Sequence, residues 1–200
     1  MTADRPSAAP PESVHGRTRR RGRSFYPPGM VITPVAGLLL GFLDFLWIKY
    51  VPFPFGGLGN SPAVWAVAAF LLTWRARWGR WPSAAAGAAM LVIAVPAYYV
   101  AAFLIQHDEL ANAYNATALG WMVMGIVAGA VFGAGGYFAR TPGRPRVVAM
   151  FLPGAVLVAE AAVEATRVGQ PSYGVAEPVE YGVLLVVLGL LVTVLVRRPE

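Results

Sequence analysis

Long apolar runs separated by short polar breaks recur along almost the whole chain after residue 29. A membrane-crossing helix needs about 20 mostly apolar residues. Six runs approach that length: Met30–Tyr50, Ser61–Trp74, Pro82–Ile105, Tyr114–Ala139, Val147–Thr166 and Tyr181–Val196. The predicted fold is an all-α integral membrane protein with six transmembrane helices. The second and sixth runs are the shortest. Ser61–Trp74 would reach only roughly 21 Å at 1.5 Å per residue. Trp74, Trp78 and Trp81 therefore suggest that this helix runs on through the interface. Pro96 predicts a kink in the third helix.

Composition agrees. Of 200 residues, 57% are hydrophobic and 13% charged, against roughly 25% charged in soluble domains. Mean hydropathy is +0.57. Residues 1–29 are the exception: Pro, Ser and Arg dominate, and the segment lacks the apolar content of a core. It reads as a disordered cytoplasmic tail, followed by a transmembrane domain over 30–196 and a second cytoplasmic tail over 197–200. The run Arg17-Thr-Arg-Arg-Arg-Gly-Arg23 resembles a twin-arginine signal. No Ala-x-Ala cleavage site follows it, however, and the next apolar run is long and contains Asp44. A retained first span is the expectation.

The positions of the charges set an orientation. With six spans and the N-terminus inside, the inner segments are 1–29, 75–81, 140–146 and 197–200. They carry 14 of the 16 basic residues, all but Lys49 and Arg167. The outer loops carry Asp108, Glu109, Glu177 and Glu180. This is the positive-inside pattern, and it places both termini in the cytoplasm and the protein in the cell membrane as a multi-pass chain. It also accounts for the isoelectric point of about 10.1. The arginines face anionic lipid, and no aromatic–basic interleaving or reader motif points to nucleic acid.

Two phrases repeat. Val35-Ala36-Gly37-x-x-x-Gly41 matches Val127-Ala128-Gly129-x-x-x-Gly133, and Pro62-x-x-x-x-Val67-Ala68 matches Pro153-x-x-x-x-Val158-Ala159. The order is kept at offsets of 92 and 91 residues. Three spans per half would give a 3+3 inverted repeat, as in many transporters. Chance is the alternative reading, because Val, Ala and Gly abound. The glycines have a simpler use: spaced by four, they make small faces on which helices approach closely. Gly133-Ala-Gly135-Gly136 follows no strand, so it is not a dinucleotide fingerprint.

Three acids lie within spans: Asp44, Glu160 and Glu164. A carboxylate near the bilayer centre costs at least about 2.5–3.5 kcal/mol on insertion scales, so it faces the protein interior or water. All three fall in the outer half, and Glu160 and Glu164 share a helix face. Trp65, Tyr98, Tyr99, Asn115, Thr117 and Trp121 reach a similar depth, and Asn60 and Ser61 cap the second span. If these faces converge, they line an acidic and aromatic cavity suited to a cation, an amine or protons. The ligand-binding candidates are Asp44, Glu160, Glu164, Trp65, Tyr99 and Trp121. Other readings stand beside this one. Glu164 can pair with Arg167, the tryptophans can be belt residues, and Asp44 can bond to a neighbouring helix.

Cysteine is absent, and the two histidines, His15 and His107, lie outside the apolar runs. No disulfide, thiolate or histidine metal site is expected, nor any cofactor. Glu160-x-x-x-Glu164-x-x-Arg167 resembles the acidic helix of glutamate-type intramembrane proteases. The adjacent glutamate pair and intramembrane histidines of that family are missing, and no Ser/His/Asp set lies in the membrane. An enzyme is not expected.

At Asn60-Ser-Pro-x-x-Trp65-x-x-x-Ala69-Phe70, and at Trp121 with the Gly125–Gly136 stretch, the chain resembles an uncharacterised family of actinobacterial multi-pass proteins. That family is a domain of unknown function, and the resemblance, over residues 30–196, implies membrane residence and no activity. In the Ala84–Ala89 run and the Gly37/Gly41 face the chain is also similar to the S components of energy-coupling-factor vitamin transporters. That likeness implies six helices and an outward-facing ligand site. The expected function is binding or transport of a small solute. The alternative is a membrane assembly or partner subunit whose acids serve helix packing.

Overall fold

The computed structural model describes residues 29–168 and 176–197. The Arg-rich segment 1–28, the tail 198–200 and the loop 169–175 lie outside the described residues. The rest is helical, with no strand among the described residues. Six α-helices follow in order: α1 (Gly29–Tyr50), α2 (Pro62–Ala76), α3 (Arg80–Gln106), α4 (Ala116–Phe138), α5 (Arg144–Ala165) and α6 (Ala176–Arg197). Short 3-10 helices at Phe55–Asn60 and Leu110–Tyr114 precede α2 and α4. Five helices are long and apolar enough to cross a membrane, and α2, with 15 residues, is not.

Several boundaries differ from the hydropathy pattern. α2 does not run on through Trp78 and Trp81. Arg77 takes the left-handed conformation at φ 58°, Gly79 follows, and Trp81 sits in the first turn of α3. α6 is longer than expected at its start, because Ala176 to Glu180 join the helix although they are less apolar. Tyr114 closes a 3-10 turn, and Asn115 caps α4 by accepting the Ala118 amide at 2.8 Å. α3 continues through Pro96.

The helices run alternately up and down. At one end Arg140, just past α4, bonds to the α2–α3 turn, and Arg197 of α6 lies 4.9 Å from the ring of Phe151 near the start of α5. At the other end Lys49 of α1 reaches the Ile105 carbonyl of α3 at 3.3 Å.

α3 is flanked by α1 and α4, and glycine permits both approaches. A Cβ at Gly41 would collide with the Ala94 carbonyl, and one at Gly129 with the Gly87 carbonyl. The two matching glycine phrases therefore share a packing partner, α3, but meet different residues of it: Met90 and Ala94 for the first, Ser83 and Gly87 for the second. The matched prolines do not act alike: Pro62 opens α2, whereas Pro153 lies inside α5. α5 and α6 pair through Gly154 and Gly189. Large side chains such as Val31, Leu38, Leu43 and Leu190 point outward, as expected where the solvent is hydrocarbon.

The short helix is the most enclosed. Ala69, Phe70 and Thr73 of α2 are fully buried. Its shortness has a visible cause. The chain after α1 folds back along α1 rather than staying at its tip. The Trp47 indole donates to the Phe55 carbonyl at 2.7 Å. A Cβ at Gly59 would come within 2.8 Å of Ile48 Cγ1 and 3.2 Å of the Asp44 carbonyl oxygen. Residue 59 thus lies between the levels of Ile48 and Asp44, about 3–9 Å below the end of α1 at 1.5 Å per residue. α2 starts at that depth. Its far end is closed by Arg140, whose guanidinium donates to the Thr73 and Trp78 carbonyls at 3.3 and 3.0 Å and to the Gly136 carbonyl at 3.3 Å. A cation suits the negative end of the helix dipole.

Candidate functional site

Because α2 begins inside the bundle, its first amide groups need partners that no helical carbonyl supplies and that hydrocarbon cannot replace. Ser61-Pro62-Ala63-Val64-Trp65 meets this position by position. Pro62 has no amide hydrogen. The Ala63 amide donates to Glu160 Oε2 at 2.8 Å. The Val64 amide donates to Ser61 Oγ at 3.1 Å, and the Trp65 amide to the Ser61 carbonyl at 3.3 Å. The Ser61 hydroxyl donates to Glu160 Oε2 at 2.8 Å, and the Tyr181 hydroxyl donates to Oε1 at 3.1 Å. A carboxylate fits here because a helix N-terminus carries roughly half a positive charge. Glu160 is a cap delivered from α5, and it ties α2, α5 and α6 together.

Asp44 has a different setting. It is 9% exposed, and its hydrogen-bonding neighbour is the side chain of Trp65. It lines a cavity of about 220 Å³. Trp65 comes from α2, Tyr98 and Tyr99 from α3, and Trp121 from α4, with Asn60 and Ser61 also in the lining. The Tyr98 ring stands edge-on between Phe45 and Tyr99, each with a centroid 5.4 Å away, which holds its orientation. Among the described residues, no basic residue lines this cavity. Lys49, the basic residue nearest in sequence, is engaged with the Ile105 carbonyl and lies 5.9 Å from the Phe45 and Tyr50 rings. Among the described residues, the lining thus offers one carboxylate, four aromatic side chains and no counter-charge, a chemistry suited to a cation.

A second cavity, of about 670 Å³, lies between α4 and α5 with α2 as its floor. Glu160, Glu164, Arg167 and Tyr181 line its polar part, and Ala66, Phe132, Val156 and Ala159 its apolar part. Glu164 accepts from Arg167 at 2.7 Å. Among the described residues, no three His, Asp or Glu side chains gather as a metal-binding group.

The six candidates therefore fall in two places. Asp44, Trp65, Tyr99 and Trp121 line the first cavity; Glu160 and Glu164 line the second, and Trp121 borders both. Tyr181 had no signal in the sequence as the partner of Glu160, beyond being a hydroxyl at the start of an apolar run. Arg140 was hidden among the topology-setting arginines.

No curated protein and no solved structure matches the chain. One family profile does, over residues 20–200, and it spans every helix that builds these two cavities. The chain therefore belongs to that family, described as Family of unknown function (DUF6518).

Proposed function

We propose that this is a six-helix protein of the cell membrane, with both termini cytoplasmic, that binds a small organic cation at Asp44 and serves its uptake or sensing without catalysis. The observation that carries the reading is the contrast between the acids. Glu160 is satisfied by three donors and Glu164 by Arg167. Asp44 has the Trp65 side chain as its neighbour and opens on an aromatic cavity that, among the described residues, has no basic residue in its lining. A buried carboxylate with so few partners is costly, and a bound cation would offset that cost. The orientation is supported by the end of the bundle that gathers Arg75, Arg77, Arg80, Arg140, Arg144, Arg146 and Arg197. α2 counts as the sixth span together with the loop that folds back above it. The likeness to energy-coupling-factor S components belongs to this proposal and adds only an expectation of an outward-facing site.

The test is a thermal-shift screen of the purified protein with amines, quaternary ammonium ions, amino acids, vitamins and metal cations, beside Asp44→Asn. A ligand of the native state raises the melting temperature. The reading requires a cationic hit that Asp44→Asn loses. A second reading is favoured by the full use of Glu160 and Glu164 within the fold: a membrane partner subunit whose acids serve packing. No hit, with Asp44→Asn as stable as wild type or more so, would select it.

A further inference from the structure

The two cavities are neighbours. Asn60, Pro62, Trp121 and Ala128 line both, so these four residues are the wall between them. In that wall Trp121 is 43% exposed rather than packed in on all sides. The larger cavity is a cleft between two helices that meet near one end. There Gly135 of α4 lies against Leu152 of α5, and Ala139 and Ala149 share a core cluster. Toward the other end α4 and α5 part, with Trp121 on one side and Val163 and Glu164 on the other.

We infer that the ligand at Asp44 is an amphiphilic ammonium ion, whose apolar tail lies in the cleft between α4 and α5 while its head sits among the aromatics. This rests on the Asp44 reading and extends it to substrate class. Three observations support it. The cleft adjoins the Asp44 cavity, from which it is separated by the side chains of Asn60, Pro62, Trp121 and Ala128. Its volume falls in the range of about 300–1,000 Å³ usual for ligand pockets, whereas the Asp44 cavity alone holds only a head group. Its charge is complementary: among the described lining residues Glu160 and Glu164 outnumber Arg167, and Arg167 is bridged to Glu164 at 2.7 Å. A cationic head passing the polar end of the cleft meets net negative charge, while an anionic amphiphile is repelled there. The walls below, Ala66, Phe132, Val156 and Ala159, are apolar and suit an alkyl chain.

The experiment compares tetramethylammonium with hexyltrimethylammonium by calorimetry on the full chain in phosphatidylcholine nanodiscs. Ala159→Trp and, separately, Val163→Trp fill the cleft. Both positions are exposed, so the larger side chain does not enter the core. Each variant is expected to weaken hexyltrimethylammonium by about tenfold or more and to leave tetramethylammonium within about twofold, as expected when only the tail is obstructed. Equal affinities for both ligands across wild type and both variants would overturn the tail assignment and leave the Asp44 site standing. Binding of neither ligand to wild type would overturn both.

Discussion

The carboxylate of Glu160 accepts the backbone amide of Ala63 at 2.8 Å, across 97 residues of sequence. This contact explains an acid that the apolar pattern leaves unexplained. Glu160 completes the first turn of a helix that starts below the level at which its neighbours end. Removing it leaves the Ala63 amide and the Ser61 and Tyr181 hydroxyls without their acceptor. Glu160→Ala should destabilise the protein by about 1–3 kcal/mol, the usual cost of stranding a buried donor. Glu160→Gln keeps one carbonyl acceptor and should lose less. Denaturation in detergent would show the order; a Glu160→Ala protein as stable as wild type would remove the cap from the account.

Arg140 closes the opposite end of the same helix. Arg140→Ala should cost about 1–2 kcal/mol, since charged hydrogen bonds to last-turn carbonyls and the dipole are both lost. Arg140→Lys keeps the charge without the fork and should fall between. The two caps are about 22 Å apart along a 15-residue helix. The double variant Glu160→Ala/Arg140→Ala should therefore be additive within about 0.5 kcal/mol. Strong coupling would mean that α2 melts as a unit once either end is lost.

Two glycines of α4 should respond in opposite directions. A Cβ at Gly129 overlaps the backbone of α3, whereas one at Gly120 meets nothing within 4 Å. Gly129→Ala should destabilise by about 1–3 kcal/mol through overpacking. Gly120→Ala should gain about 0.5–1 kcal/mol through helix propensity. Melting temperatures of the pair, measured side by side, check both signs.

His107 ends α3 in the left-handed conformation at φ 61°. An L-residue with a Cβ costs roughly 1 kcal/mol there relative to glycine. His107→Gly should raise stability by about that amount while keeping the capping bond to Phe103. An unchanged or lower melting point would show that the His107 side chain makes a compensating contact.

Orientation can be read directly, because the chain has no cysteine of its own. Cysteines placed at Asp108 and Glu109 should react with a membrane-impermeant maleimide added to intact cells. Cysteines at Gly79 and Thr141 should react only after permeabilisation. The reverse pattern would invert the topology and place Asp44 on the cytoplasmic side.

What the chain's own pattern settles is the helical class, the approximate positions of six helices, and the small faces at Gly37, Gly41, Gly129 and Gly133. It also marks Asp44, Glu160 and Glu164 as residues needing an explanation. These follow from local quantities: apolar length, charge placement and four-residue spacing. The partners of the acids do not. All three are carboxylates in the outer half of their predicted spans, yet Glu160 meets Ser61, Ala63 and Tyr181, Glu164 meets Arg167, and Asp44 meets Trp65 beside a cavity. That separation depends on how far the segment after α1 folds back and on which side of α2 each helix packs. Both are long-range arrangements with no local energetic signature, so the division of one predicted cavity into two was decided by the tertiary structure alone.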